Sequence, residues 1–173
     1  MAKTIIKFVL LYIVLVLAQV IIFNHVCLYN VAIPFVFLYL IVRLPISLSS
    51  NWTMTIGFVT GLTIDIFSDT LGMNALACTI VAALRHGVLR LYIPREEDLA
   101  QAEPSLRSLG SAIYLKYILT VSLIYCTTVF IIEACTLFNP MLLIMRIVCS
   151  TLLTSVLLTG IDSLSIQRNE KRL

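Results

Sequence analysis

Apolar residues form long unbroken runs along this chain, and short polar stretches separate them. Such runs predict membrane-spanning helices, because a helix needs about 20 apolar residues to cross the hydrocarbon of a bilayer. A membrane β-barrel would instead show apolar and polar residues in alternation. The six predicted spans cover residues 5–23, 31–46, 52–67, 71–91, 113–133 and 141–161. We therefore predict an all-α, polytopic membrane protein whose six transmembrane helices form a single bundle.

Turn-forming residues bound several of these runs. Asn24 follows the first run, Pro45 lies at the end of the second, and Pro140 precedes the sixth. The polar segment 92–110 is predicted to be a cytoplasmic connector between the fourth and fifth spans. It is either a solvated loop or an amphipathic segment on the membrane surface that offers a docking site. Residues 162–173 are predicted to form a basic cytoplasmic tail that touches anionic headgroups.

Composition indicates the same class of protein. Hydrophobic residues make up 60% of the 173 residues and charged residues 12%, and the mean hydropathy is +1.04. These values exclude a solvated surface around a soluble core. The spans leave no room for a separate soluble domain, so we expect residues 1–173 to form one transmembrane domain.

Basic residues set the expected orientation, since cytoplasmic loops hold an excess of Lys and Arg. With six spans, the basic groups at both termini and after the second and fourth spans all fall on one side. Arg85, Arg90 and Arg95 are the cytoplasmic basic residues around the fourth connection. Lys3 and Lys7 resemble the start of a signal peptide, but the apolar run after them exceeds the usual length of about 7–15 residues. We therefore predict an uncleaved first span and cytoplasmic termini.

Ionisable residues inside predicted spans are candidates for function, because a charge near the bilayer centre costs about 3 kcal/mol or more. Asp65, Glu133 and Arg146 are expected in the outer half of the membrane, where they would form an outer-leaflet polar cluster. Glu133 and Arg146 flank one turn at similar depths, so we expect an ion pair whose guanidinium Asp65 can share. The cluster either fixes the helix register or forms a pocket floor or a contact for a partner's transmembrane helix.

Two glycines, Gly57 and Gly61, precede Asp65 at four-residue spacing. Gly57, Gly61 and Asp65 fall on one face of a helix, and Gly72 follows near the start of the predicted fourth span. Small residues allow another helix backbone to come close. We expect these four residues to form a partner or helix-packing face, and the neighbouring helix belongs either to this chain or to a partner.

Recognisable catalytic and metal-binding patterns do not occur in the sequence. The five cysteines show no Cys-x-x-Cys spacing, and His25 and His86 fall on opposite sides under the predicted topology. There is no Gly-x-Ser-x-Gly motif and no phosphate-binding glycine-rich loop. We therefore predict a protein that is not an enzyme and that uses no cofactor, no metal and no nucleic-acid partner.

Residues 57–76, with the pattern GxxxGLxxDxxxxxLGxxAL, resemble the core signature of the rod shape-determining protein MreD family. The chain length, the six-span pattern, the basic connection after the fourth span and the short basic tail also resemble this family. The resemblance therefore extends over essentially the whole chain, and the segment 57–76 is its specific part.

The resemblance implies a non-enzymatic membrane subunit of the bacterial cell-wall elongation (rod) complex. Members of the family bind MreC, and through it the MreB filaments inside the cell and the glycosyltransferase–transpeptidase wall synthases outside. The chain is then expected to be a multi-pass protein of the bacterial cytoplasmic membrane, surrounded by membrane lipid, that contributes to the control of cell shape.

A second interpretation comes from a different class of protein. The S components of energy-coupling-factor vitamin transporters are also six-helix proteins of similar length, and the MreD family resembles them in fold. Asp65, Glu133 and Arg146 would then line an outward-facing pocket for a small nutrient. A membrane-embedded enzyme fits the sequence less well than either interpretation.

Overall fold

The computed structural model describes residues 2–23, 32–70, 72–93, 104–134 and 140–170. This part of the chain is all-helical and contains no strand, which confirms the predicted all-α class for it. The helices are α1 (Ala2–Ala18), continued by a π-helical segment (Gln19–Phe23), α2 (Leu38–Arg43), α3 (Ser50–Ser68), α4 (Met73–Tyr92), α5 (Leu106–Leu109), α6 (Ser111–Ala134) and α7 (Pro140–Glu170).

Four helices are long and apolar enough to cross a membrane: α1 with its π-helical segment, α4, α6 and α7. Helix α3 is 19 residues long, but its serines, threonines and Asp65 make it less apolar than these four. Each of its four threonine hydroxyls donates to the carbonyl oxygen of the residue four positions earlier. Such bonds satisfy a hydroxyl where water is scarce. The described residues thus contain four candidate spanning helices and not the predicted six.

The second predicted span differs most from the structure. Residues 31–46 are expected to form one helix, but among the described residues 32–46 only α2 is α-helical, and it has six residues. Two prolines explain the difference. Pro34 lacks a backbone N–H to continue a helix, and Pro45 favours the extended conformation seen at Leu44, where ψ is 143°. A helix of six residues cannot cross a bilayer, which needs about 20.

This short segment lies inside the bundle. Every residue from 36 to 44 is buried. Phe35 and Phe37 pack edge-on against Tyr125 of α6, with ring centroids 4.9 Å and 5.7 Å away. The apolar run that predicted a membrane span therefore fills the protein core.

Non-helical backbone inside an apolar bundle needs polar partners for its N–H and C=O groups. Gln19 supplies two of them from the π-helical segment of the first helix. Its Oε1 accepts from the backbone N–H of Val36 at 2.8 Å, and its Nε2 donates to the carbonyl oxygen of Pro34 at 3.1 Å. Gln19 is itself only 1% exposed, so both ends of its amide are used within the protein.

Helix α7 holds the same segment from another side. The hydroxyl of Ser150 accepts from the N–H of Ile33 at 3.0 Å, and that of Thr154 accepts from the N–H of Phe35 at 3.2 Å. These side-chain bonds replace the intrahelical bonds that residues 32–37 do not form, and they place the segment between α1 and α7.

The end of the predicted connector and most of the predicted tail are helical where the structure describes them. Pro104 and Leu109 are buried, so the end of the connector 92–110 packs on the bundle. Helix α7 continues to Glu170, well beyond the predicted end of the last span at residue 161. Several predicted features lie outside the described residues: the turns at 24–30 and 136–139, most of the connector including Arg95, and residues 171–173.

The bundle has two polar ends. Helices α3 and α4 form an antiparallel hairpin with the most extensive pairwise packing among the described elements. We call the end at the α3–α4 turn the hairpin end and define it by Asp65 and Asn74. We call the opposite end the basic end and define it by Arg43, Arg85 and Asp162. The eleven-residue step from Asn74 to Arg85 on α4 corresponds to roughly 16 Å of helix.

Candidate functional site

Gly57 and Gly61 place α3 directly against α4 of the same chain. A Cβ atom added at Gly57 would lie 2.9 Å from the carbonyl oxygen of Cys78. A Cβ added at Gly61 would overlap the backbone of Asn74 and Ala75. Only glycine fits this crossing, because it has no side-chain atom to separate the helices. Of the two alternatives open from sequence, this chain's own α4 is the helix that occupies the groove.

Asp65, one turn beyond Gly61, caps the start of α4 and is 3% exposed. Its Oδ2 accepts from the N–H of Ala75 at 2.8 Å. Its Oδ1 accepts from the N–H of Asn74 at 3.1 Å, from the Asn74 side-chain amide at 2.9 Å and from the hydroxyl of Thr70. N–H groups in the first turn of a helix have no partner in that helix, and the helix dipole there favours a negative charge. Neutral donors and the helix dipole therefore stabilise the buried carboxylate.

Two residues with positive φ build the turn that brings Asp65 to α4. Asp69 has φ of 54° and Gly72 has φ of 76°. Glycine adopts this conformation freely, and aspartate is among the few other residues that tolerate it. Gly72 has open space around the position of a Cβ. Its role is therefore to shape the turn, which corrects the expectation that it belongs to the helix-packing face.

The hairpin end reaches α6 through Asn74. The side-chain oxygen of Asn74 accepts a hydrogen bond from the hydroxyl of Tyr125, which is fully buried. Hydrogen bonds thus run from α6 through the start of α4 to Asp65 on α3. Sequence reasoning missed Asn74 and Tyr125, although Asn74 lies inside the segment that it singled out.

Glu133 and Arg146 form the ion pair expected from their flanking positions. Arg146 Nη1 donates to Glu133 Oε1 at 2.7 Å and joins α6 to α7. The two side chains are 35% and 27% exposed. Asp65 forms its described hydrogen bonds with α4 and the preceding turn, since both of its oxygens point to the start of α4. The expected cluster of three residues is therefore two separate sites.

Arg85 lies in the bundle interior and not in a solvated connection. Its side chain is fully buried. The guanidinium donates to the carbonyl oxygens of Leu44 and Pro45, and Nε donates to the hydroxyl of Tyr117 at 3.2 Å. These carbonyls follow the end of α2, where the helix dipole is negative and carbonyl groups lack helical partners. Because α4 continues to Tyr92, Arg85 is well inside the helix, and this corrects its predicted cytoplasmic exposure.

Asp162 is the centre of a second buried network, and its side chain is fully buried. Its Oδ1 accepts from Arg43 Nη1 at 2.8 Å and from the Tyr39 hydroxyl at 2.9 Å. Its Oδ2 accepts from the backbone N–H of Leu106 at 2.8 Å. Arg43 also donates to the hydroxyls of Tyr39 and Ser165. The network ties α2, α5 and α7 together at the basic end.

Sequence reasoning missed this network. Arg43 and Asp162 are 119 residues apart, and Asp162 falls one residue beyond the predicted end of the sixth span. Of the other predicted basic residues, Arg90 is exposed near the end of α4, and Arg95 lies outside the described part.

Hydrogen-bond donors surround a carboxylate at both ends, and such networks fix helices relative to one another in a low-dielectric interior. Among the residues that the structure describes, no group of three or more His, Cys, Asp or Glu side chains could hold a metal ion. The described cysteines, Cys78, Cys126 and Cys149, are free thiols.

No protein-family model, no curated protein and no solved structure matches this chain. The resemblance of residues 57–76 to the MreD signature therefore stays a prediction from the sequence.

Proposed function

We propose that this chain is a non-enzymatic membrane subunit of the bacterial cell-wall elongation (rod) complex. In this role it binds MreC and helps to link MreB filaments to the glycosyltransferase–transpeptidase wall synthases. The observation that carries the proposal is the hairpin of α3 and α4, because the segment that resembles the MreD signature forms one structural unit there. Gly57 and Gly61 seat α3 on α4, Asp65 caps α4, and Gly72 shapes the turn between them.

The occupied groove limits where a partner can bind. Since α4 covers Gly57 and Gly61, and Asp65 is 3% exposed, none of these residues offers a free surface to another chain. Their contribution to partner binding is to hold the hairpin in shape. A transmembrane helix of MreC must then contact other residues of the bundle.

We propose further that the basic end faces the cytoplasm of a bacterial inner membrane, with both termini on that side. Lys7 near the start of α1 and Arg43 at the end of α2 line one cavity. Arg90 near the end of α4 is a further basic residue at this end. An excess of Lys and Arg marks the cytoplasmic side of membrane proteins.

A pull-down from native membranes tests the proposed function. The tagged chain is solubilised in mild detergent, and the proteins that it retains are identified by mass spectrometry. We expect MreC and wall-synthesis enzymes. Recovery of an energy-coupling transmembrane subunit with its ATPases would instead support the transporter S-component interpretation and contradict the proposal.

A matched pair of variants tests whether the hairpin matters for binding. Asp65→Asn places an amide against the N–H groups of α4, so we expect less MreC per folded chain. Asp69→Asn makes the same change at an exposed position where asparagine also tolerates positive φ, so we expect recovery equal to that of the wild type. Equal recovery by both variants would show that the hairpin is not the element that supports binding.

A further inference from the structure

A cavity of about 260 Å³ lies at the basic end, between α1, α2 and α7. Its polar side is formed by Lys7, Tyr39, Arg43 and Ser165. Lys7 is exposed, whereas Arg43 is 8% exposed and held in place by the buried Asp162 network. Arg43 is therefore fixed by the fold, and Lys7 lies at the exposed edge of the cavity.

Both charged side chains that line the cavity, Lys7 and Arg43, are cationic. Asp162, the acid paired with Arg43, has both oxygens turned to buried donors and is fully buried. It does not line the cavity, and neither does any other acidic side chain among the described residues. Lys7 and Arg43, with the Ser165 hydroxyl beside them, suit a phosphate group, because charged donors form short, strong hydrogen bonds to its oxygens.

The other side of the cavity is apolar. Phe8, Leu10, Leu11 and Val14 of α1 form it. Leu10 is 63% exposed and Val14 is 55% exposed, so this apolar wall continues onto the outer surface of a candidate membrane-spanning helix. A ligand held here would therefore have an anionic head beside Lys7 and Arg43 and an apolar part along α1.

We propose that this cavity binds the phosphate headgroup of an anionic phospholipid from the membrane leaflet at the basic end, with an acyl chain lying along α1. The cavity is smaller than the range of about 300–1,000 Å³ typical of sites that enclose a whole drug-sized ligand. It therefore encloses the headgroup and leaves the chains in the bilayer. This inference does not depend on the proposed role in the rod complex.

Native mass spectrometry of the full chain in detergent tests the inference, with dioleoylphosphatidylglycerol and dioleoylphosphatidylcholine as lipid probes. We expect one phosphatidylglycerol retained per chain in preference to phosphatidylcholine. Lys7→Gln removes one cation near the phosphate and should weaken phosphatidylglycerol binding about fivefold. Lys116→Gln makes the same change at an exposed lysine of α6 outside the cavity and should leave binding unchanged. Equal retention of both lipids, or equal losses in the two variants, would overturn the proposal.

A steric pair of variants tests the apolar wall without altering charge. Val14→Trp places a large ring at the mouth of the cavity and should reduce phosphatidylglycerol retention. Val9→Trp enlarges a residue of α1 that is 51% exposed and does not line the cavity, and it should leave retention unchanged. Retention that falls equally in both variants, or in neither, would contradict a lipid seated against this wall.

Inorganic phosphate distinguishes a lipid from a free anion. Phosphatidylglycerol should raise the thermal unfolding midpoint of the detergent-solubilised chain, and this rise should be smaller in Lys7→Gln. Inorganic phosphate at millimolar concentration should cause no rise, because it gains nothing from the apolar wall. A rise with phosphate equal to that with lipid would assign the cavity to a soluble anion and overturn the lipid proposal.

Discussion

The hairpin end and the basic end each bury a carboxylate, but they satisfy it in different ways. At the hairpin end, Asp65 accepts from N–H groups nine and ten residues away, at the start of the next helix. At the basic end, Asp162 accepts from Arg43 and Tyr39, which are 119 and 123 residues away. The first site is a local turn with a helix cap, and the second is a contact between distant parts of the chain.

This difference has an energetic consequence. Neutral donors and a helix dipole surround Asp65, so its loss removes hydrogen bonds without leaving a cation behind. Asp162 is paired with Arg43, and removing one partner of a buried ion pair is more damaging because the other charge stays in a low-dielectric interior. Substitution of Asp162 should therefore lower the free energy of unfolding more than substitution of Asp65.

The largest effect is expected for Asp162→Leu. This change removes the carboxylate that pairs with buried Arg43 and should destabilise the bundle by about 3–5 kcal/mol. The free energy of unfolding, measured by titration with sodium dodecyl sulfate in mixed micelles, gives the value. Glu133→Gln is the control, because its pair with Arg146 is partly exposed and should contribute at most about 1 kcal/mol. Similar losses in the two variants would remove the distinction between a buried and an exposed pair.

Gly61→Ala comes next, and it tests the close approach at the hairpin end. The added methyl group would overlap the backbone of Asn74 and Ala75, so α3 and α4 must move apart at a cost of about 3 kcal/mol. Gly87→Ala is the control, since nothing lies within 4 Å of its Cβ position. That change should stabilise α4 by about 0.5–1 kcal/mol, because alanine favours a helix. If Gly61→Ala left the free energy of unfolding unchanged, that result would contradict the packing of α3 on α4.

Asp65→Asn should cost about 2 kcal/mol, because hydrogen bonds to a charged acceptor contribute about 1.5–3 kcal/mol. The same detergent titration measures the loss, with Asp69→Asn as the matched exposed control. A loss as large as that of Asp162→Leu would show that the two carboxylates are equivalent, contrary to the local nature of the hairpin site.

The smallest effect is expected for Thr154→Val, because Thr154 belongs to neither the hairpin end nor the basic end. Valine keeps the shape but cannot accept from the buried N–H of Phe35, so the cost should be about 1 kcal/mol. The hydroxyl of Thr159 donates within its own helix, so Thr159→Val should change the free energy of unfolding very little. Equal values for the two threonines would contradict the inserted position of residues 32–37.

The same distinction between local and distant contacts explains what could be predicted from the sequence. Gly57, Gly61 and Asp65 were identified because turn and helix spacing alone bring them together. The apolar run 31–46 was assigned wrongly, since apolar residues on all sides fit burial in lipid and burial in protein equally well. Pro34 and Pro45, eleven positions apart, were the available signal that no full-length helix could form there.

The burial of charged side chains was harder to predict from the sequence than the positions of the helices. Arg85 was grouped with its basic neighbours, because a sequence does not show that the end of α2 lies beside it and offers carbonyl groups. The sequence predicts Asp162 in the tail, because the apolar run ends at residue 161. The helix itself continues to Glu170. Both residues are buried through contacts with the segment that was mistaken for a spanning helix.

A double-mutant cycle on Arg43 and Asp162 is the most direct test of this long-range contact between α2 and α7. The free energy of unfolding is measured for the wild type, Arg43→Met, Asp162→Leu and the double variant. We predict that the double variant recovers a large part of the loss, since it leaves no buried charge, and that the coupling exceeds about 1.5 kcal/mol. Additive losses would show that the two side chains do not interact, and would contradict the position of α2 inside the bundle.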